Sequence, residues 1–258
     1  MADVTVSKKF YRFASQVSIL DLVNLSGSIF LFYPMLIEVT HNVWHAQHAF
    51  SVSGVPSTSR MTVIRLDDGA LWVHSPIPVG DAMLAQLSAI GPVGYVIAPS
   101  KTHHLFVNDF MVHFPRAEVF GAPGLAEKRP DIRNLHSLLQ EPTPWASEID
   151  GLVFDGIPFA NESVWFHRAS RTLILTDLCQ WWQGNLPWQA KLWSFLMGIR
   201  SELNVGRNVR LLVRDKRAAH NSAQTILRWP FNRVIVAHNC IVEHHAHEAV
   251  AHAFRHFP

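Results

Sequence analysis

From Leu36 onward, apolar positions fall into short runs whose spacing switches between two periods. Leu36 to Trp44, Met61 to Leu66 and Ala70 to His74 are β-branched or aromatic segments of strand length, and Asp67-Asp68-Gly69 between the last two has the composition of a hairpin turn. Gly80 to Ile90 then carries apolar residues at helical spacing and Val93 to Ala98 reads as the next strand, so an opening β-meander passes into a β-α-β rhythm. The second half repeats the order. Leu152 to Phe154, Ser163 to His167 and Thr172 to Thr176 read as strands around an Arg-Ala-Ser-Arg turn. A Trp-rich helical region, a helix near Lys216 to Trp229, the strand Arg233 to Ala237 and a terminal helix follow.

Two halves of similar order predict an α/β fold built as a four-layer αββα sandwich, with two mixed β-sheets face to face and helices on the outer faces. The segment Pro123 to Trp145, with Pro123, Pro130, Pro142 and Pro144, is expected to connect the halves. Residues 36–258 are thus expected to form one domain, with residues 1–35 as an N-terminal extension. In that extension Lys8, Lys9 and Arg12 precede an apolar run from Val17 to Ile37 that Asp21, Asn24 and a Gly/Ser patch interrupt. The interruptions favour a helix packed on the domain or a loosely ordered tail, with a membrane anchor as the lesser alternative.

Composition narrows the function. With 48% apolar and 16% charged residues, 258 residues suffice for a buried core. A net charge of +2 spread thinly along the chain argues against a nucleic-acid surface. Cys179 and Cys240 do not form a CxxC pair, which fits a reducing, cytoplasmic setting. Five of the 16 histidines, His244, His245, His247, His252 and His256, sit at helical spacing in the tail, where a partly exposed amphipathic helix accounts for them without a catalytic role.

The chemistry lies at strand ends. The stretch Val93 to Phe106 (VGYVIAPSKTHHLF) is a short apolar strand broken by a polar turn, with His103 and His104 where a helix is expected to begin. The strand Thr172 to Thr176 runs into Asp177, and Arg233 to Ala237 runs into His238. Each of these residues alone has a structural explanation, but together they place metal-competent groups at the carboxyl ends of three strands, where open α/β sheets hold their ligands.

The order of strand-turn-His-His, then SVWFHRASRTLILTDL, then VIVAH resembles the metallo-β-lactamase superfamily, with its H-x-H-x-D-H motif, later bridging Asp and final strand-end His. RMTVIRLDDGALWVHSPIP, APSKTHHL and GAPGLAEKRPD are similar to a divergent branch of it. Matched by position, Pro99 and Lys101 replace the first two histidines, His103 replaces the Asp, and His104 keeps the last His. The third histidine of that first metal site falls near Phe159, beside Glu162. The resemblance therefore implies one surviving site of His103, His104, Asp177 and His238, holding one divalent ion, Zn or Fe.

Other roles follow from the same resemblance. Lys101 could supply positive charge to Asp177 or to a developing oxyanion, if it does not simply point into solvent. His74 stands where the family has an Asp that orients a ligand, and Glu162 is a second candidate for that work or for the metal itself. Arg60 and Arg168 are weaker candidates for an anionic substrate, while Trp181, Trp182, Trp188 and Trp193 are expected mostly in the core with one or two on a cleft. A helix N-terminus beside His103 and His104 would keep them unprotonated. The implied function is a metal-dependent hydrolase acting on an ester, lactone, amide or phosphoester-type small molecule, with Asp177 or Glu162 managing protons. The alternatives are a non-haem iron redox enzyme and a non-catalytic protein on the same fold.

Overall fold

Alternation of facing along successive strands builds the layers. The computed structural model describes residues 35–139 and 142–257. Its first sheet has seven strands in sequence order: β1 (Ile37–Thr40), β2 (Val43–Val52), β3 (Val55–Arg65), β4 (Leu71–His74), β5 (Val93–Ala98), β6 (Glu118–Gly121) and β7 (Leu135–Ser137). β1 to β4 pair antiparallel, and β4 to β7 pair parallel. Parallel neighbours require crossovers, which helices α1 (Asp81–Ile90) and α2 (Val107–His113) and the short α3 (Leu125–Lys128) provide.

The second sheet runs β12-β11-β10-β9-β8, from β8 (Ile149–Val153), β9 (Ser163–His167), β10 (Thr172–Ile174), β11 (Arg233–Ile235) and β12 (Ile241–Val242). β10 and β11 are parallel, and the long connection between them holds α4 (Trp188–Met197), α5 (Arg207–Leu211) and α6 (Lys216–Leu227). Helix α7 (Ala246–Ala253) and a 3-10 turn at Phe254–His256 close the fold.

The period of two sorts each strand's side chains between layers. Val96 and Ala98 of β5 pack under α1 and α2, while Ile97 between them faces the other sheet. In the second sheet Leu173 and Val234 pack towards α6 and α7, while Ile174 and Ile235 turn inward. Trp72, Trp145 and Trp165 meet edge to face between the sheets with centroids 5.6–6.1 Å apart, a geometry that adds about 0.5–1.5 kcal/mol per pair beyond area burial. Gly151 is required here, because a Cβ would lie 2.2 Å from the Trp165 ring. The result is the expected αββα sandwich.

Some boundaries differ from the sequence reading. Leu36 to Trp44 is not one strand but β1, a turn with Asn42 at φ 62°, and the start of β2. β3 begins six residues before Met61 and pairs with β2 through a turn in which Ser53 and Gly54 both have positive φ, as a tight hairpin requires. The outer half of that hairpin is polar and lacks a strong apolar alternation, so the sequence pattern does not mark it. Helix α2 starts at Val107, so His103 and His104 lie in the turn before it and not at its first residues. The basic start and the apolar run as far as residue 34 lie outside the described residues. Among the described residues, no helix is long and apolar enough to cross a membrane.

Candidate metal centre

The loops that leave β5, β10 and β11 at their carboxyl ends converge on one cavity of about 590 Å³. Buried hydrogen bonds shape the first loop: Ser100 Oγ accepts the N–H of His103 at 3.0 Å and contacts Thr102 Oγ1 at 2.8 Å. Past β10 the chain turns inward because Glu162 accepts three consecutive backbone N–H groups, from Thr176 at 2.6 Å, Asp177 at 2.9 Å and Leu178 at 2.8 Å. Past β11, Arg60 donates to the carbonyls of Val236 at 2.9 Å and Asn239 at 2.7 Å, on either side of His238.

Three side chains meet as a result. His103 Nε2 lies 3.3 Å from Asp177 Oδ2, and His238 Nε2 lies 3.0 Å from Asp177 Oδ1. One potential ligand atom from each of the three residues lies within 4.8 Å of the other two. Ligand atoms at the corners of a tetrahedron with bonds of about 2.0–2.1 Å are roughly 3.3 Å apart, so one small cation fits these spacings. The carboxylate is also held by Thr102 Oγ1 at 2.9 Å and Gln180 Nε2 at 3.1 Å, and Gln180 in turn accepts from Trp182 Nε1 at 2.9 Å.

The outer nitrogens of both imidazoles are spoken for. His238 Nδ1 bonds the carbonyl oxygen of Thr58, which can only accept, so the proton sits on Nδ1 and the Nε2 lone pair of the neutral ring is free for a cation. His103 Nδ1 lies 3.1 Å from Ser75 Oγ, again leaving Nε2 towards Asp177. Without a cation the same contacts are those of an ion pair. Burial acts to lower the His238 pKa, yet the hydrogen bond and charge of Asp177 outweigh it and the net shift is upward. For Asp177, burial acts upward, but His103 and His238 override it and hold the carboxyl well below its usual range. This donor set, with both outer nitrogens anchored, fits a divalent metal.

Other sequence candidates fall elsewhere. His104 faces the same cavity but is not part of the cluster: Arg129 Nη1 donates to its Nδ1 at 2.8 Å, which puts the ring proton on Nε2 and a guanidinium beside it. Burial, Lys128 and Arg129 all lower its pKa. Both oxygens of Glu162 are used by backbone amides, so it positions Asp177 from behind. Burial and the Asp177 charge push its pKa up to about 7, with the amides acting in the opposite direction. Lys101 forms no ion pair with Asp177 among the described residues; its side chain packs over Gly124, where a Cβ would lie 3.4 Å from its Cδ. Thr102, not Lys101, stands beside Asp177.

His74 is buried, stacks on Trp72 with centroids 5.5 Å apart, and has no partner for Nε2 among the described residues. Burial and the neighbouring His103 lower its pKa to about 3. Arg60, a candidate for an anionic substrate, is instead 2% exposed and binds carbonyls and His45 Nδ1. Arg168 pairs with Asp150 on the surface. Trp182 and Trp193 line the cavity, Trp181 packs against the second-sheet core, and Trp188 is exposed. Thr58, Ser75, Thr102 and Gln180 are not legible in the sequence as supports of the site, since a strand carbonyl or a polar side chain carries no local mark of a partner as much as 180 positions away.

The family model described as "Domain of unknown function (DUF4336)" matches residues 40–192, a span that includes His103 and Asp177. No curated protein matches the chain. Among solved structures, a metallo-β-lactamase from Erythrobacter litoralis is similar with a TM-score of 0.62 at 12% identity, covering 88% of this chain and 98% of the other. A metallo-β-lactamase from Pontibacter korlensis has a TM-score of 0.58 at 12% identity, covering 87% and 98%. A putative diflavin flavoprotein fragment from Nostoc sp. PCC 7120 has a TM-score of 0.60 at 11% identity, covering 87% and 96%. At such identities the likeness establishes the fold, which is a divergent metallo-β-lactamase fold.

Proposed function

The chain belongs to the DUF4336 family, and from that premise we propose that it is a metal-dependent hydrolase with a single-ion site formed by His103, Asp177 and His238. The observation that carries this reading is the meeting of three side chains from three strand ends, with both imidazoles anchored through Nδ1. A divalent ion, zinc in this reading, would polarise a substrate oxygen and lower the pKa of water towards neutrality. The protein's part is to hold the ligands and the substrate. Thr58 and Ser75 set the imidazole orientation, and Thr102 and Gln180 hold the carboxylate. Asp177 and Glu162 both line the cavity, and in this reading one of these two carboxylates manages protons.

The cavity supports a narrower substrate class. Phe50, Phe106, Phe159, Leu178, Trp182 and Ile199 give it a mainly apolar wall, which excludes water and favours a substrate with an apolar body. Asp177 and Glu162 line it together with Lys128 and the imidazoles of His103, His104 and His238. An ester, lactone or amide carbonyl carried on an apolar body suits that wall.

The test is metal analysis of untagged protein, together with hydrolysis assays on ester, lactone and amide panels. Stoichiometric metal, and hydrolysis abolished by His103→Ala and by His238→Ala, are expected. Metal-free protein, or hydrolysis indifferent to both substitutions, would refute the proposal. One observation favours a second reading: with His104 outside the cluster, two imidazoles and one carboxylate remain, the donor set of mononuclear non-haem iron centres. Iron in place of zinc at purification, with oxygen-dependent turnover, would select it.

A further inference from the structure

Helix α4 turns an apolar stripe outward. Trp188, Leu192, Phe195 and Leu196 follow the i, i+4, i+7, i+8 spacing of one helix face and are 70%, 50%, 71% and 46% exposed. Leu211 on neighbouring α5 is 83% exposed. The opposite side of α4 buries Ala190 and Ser194, so the helix is already anchored and the stripe is not needed for its packing. Contiguous exposed aromatic and aliphatic surface of this kind marks an interaction site.

Its border is basic. Between Asn185 and Arg214 the chain has five Lys/Arg residues and one acid, Glu202, which Arg255 and His252 already pair. Lys191 lies on α4 at the edge of the stripe. Arg207 Nη1 donates to the Leu196 carbonyl at 2.9 Å, and a Cβ on Gly198 would lie 3.5 Å from Arg210 Nη2 and 3.8 Å from Arg207 Nε. Arg200, Arg207 and Arg210 bind backbone carbonyls and Lys191 binds Asn185, so among the described residues none of the four is neutralised by a carboxylate.

We propose that this face docks on an anionic lipid bilayer, with Trp188, Phe195 and their neighbours in the acyl boundary and the flanking cations at the headgroups. Tryptophan, phenylalanine and leucine on one side with uncompensated Lys and Arg around them form the pattern of an interfacial helix, and the charge complements an anionic headgroup layer. A protein partner would have to supply acidic groups around an aromatic-binding groove, whereas a bilayer supplies both without shape matching. Trp193 of α4, Val209 of α5 and Ile199 in the connection between them line the cavity, so the docking face and the candidate site share a wall. An apolar substrate dissolved in the bilayer follows as a corollary; it rests on the hydrolase reading, whereas docking does not.

The test is flotation of the full chain with vesicles of phosphatidylcholine alone or mixed equally with phosphatidylglycerol. Binding to the mixed vesicles, weakened by high salt, is expected. Trp188→Ser with Phe195→Ser should lower the bound fraction at least tenfold while circular dichroism and melting temperature stay unchanged, and Lys191→Gln should weaken binding to the anionic vesicles alone. Undiminished binding by the double variant would place any membrane contact elsewhere in the chain and overturn the proposal. So would absence of binding to the mixed vesicles, or a dimer in solution that the double variant converts to monomer, since the second copy would then cover the face.

Discussion

Glu162 accepts the backbone N–H of Asp177 at 2.9 Å while lying 3% exposed, so a buried carboxylate fixes the main chain from which the candidate ligand projects. Glu162→Ala would leave the amides of Thr176, Asp177 and Leu178 without their acceptor, at about 1–3 kcal/mol for each buried donor. Urea unfolding should show the loss. Glu162→Gln, which offers one acceptor oxygen and an NH₂ group that opposes the amides, should weaken metal binding about 10–100-fold. Competition with a chelator measures it, and unchanged affinity would remove Glu162 from the support of the centre.

His104 and its neighbour should separate cleanly. His104→Ala is expected to leave metal stoichiometry and affinity within about twofold, because Arg129 already occupies its Nδ1 and no ligand is lost. His103→Ala and His238→Ala should each abolish stoichiometric binding. Equal losses for all three would restore His104 to the ligand set. The measurement needs untagged protein, and because the tail itself carries His244, His245 and His247 close together, a variant with these three replaced serves as its control.

Arg60 ties the first sheet to the loop carrying His238, through carbonyls on both sides of that residue. Hydrogen bonds to a charged group contribute about 1.5–3 kcal/mol each. Arg60→Met should therefore destabilise the fold by a few kcal/mol on that scale and loosen metal binding, while Arg60→Lys, which cannot span both carbonyls, should recover stability only in part. Paired unfolding and metal titrations read both effects.

Acid should act through buried imidazoles. Burial, with Arg60 adding to it, lowers the His45 pKa from its ordinary 6.5 to about 3. Below pH 6.5 the unfolded chain binds a proton there that the folded chain refuses until about pH 3. The neutral ring's contribution is therefore complete above 6.5 and lost as pH falls from 6.5 towards 3. His45→Gln cannot titrate, so its stability should fall less steeply than wild type over that window in urea unfolding at successive pH values. Parallel curves would contradict a buried neutral His45.

Much of this protein was written in its local sequence. Apolar runs of period two and 3.6 determined the layers, because facing depends only on position along a strand or helix. Asp177 and His238 could be picked out because each closes a mostly apolar run that begins as a strand. Tertiary structure alone chose between His103 and His104: adjacent residues in a turn point apart, and Arg129, 25 positions away from His104, took one while Ser75 and Asp177 took the other. It also made Arg60 a buried clamp and Glu162 an acceptor of main-chain amides. A charged side chain's role depends on what meets it after folding, and neither the 176-residue separation from Arg60 to Val236 nor the turn that gathers three amides around Glu162 leaves a trace in the residues nearby.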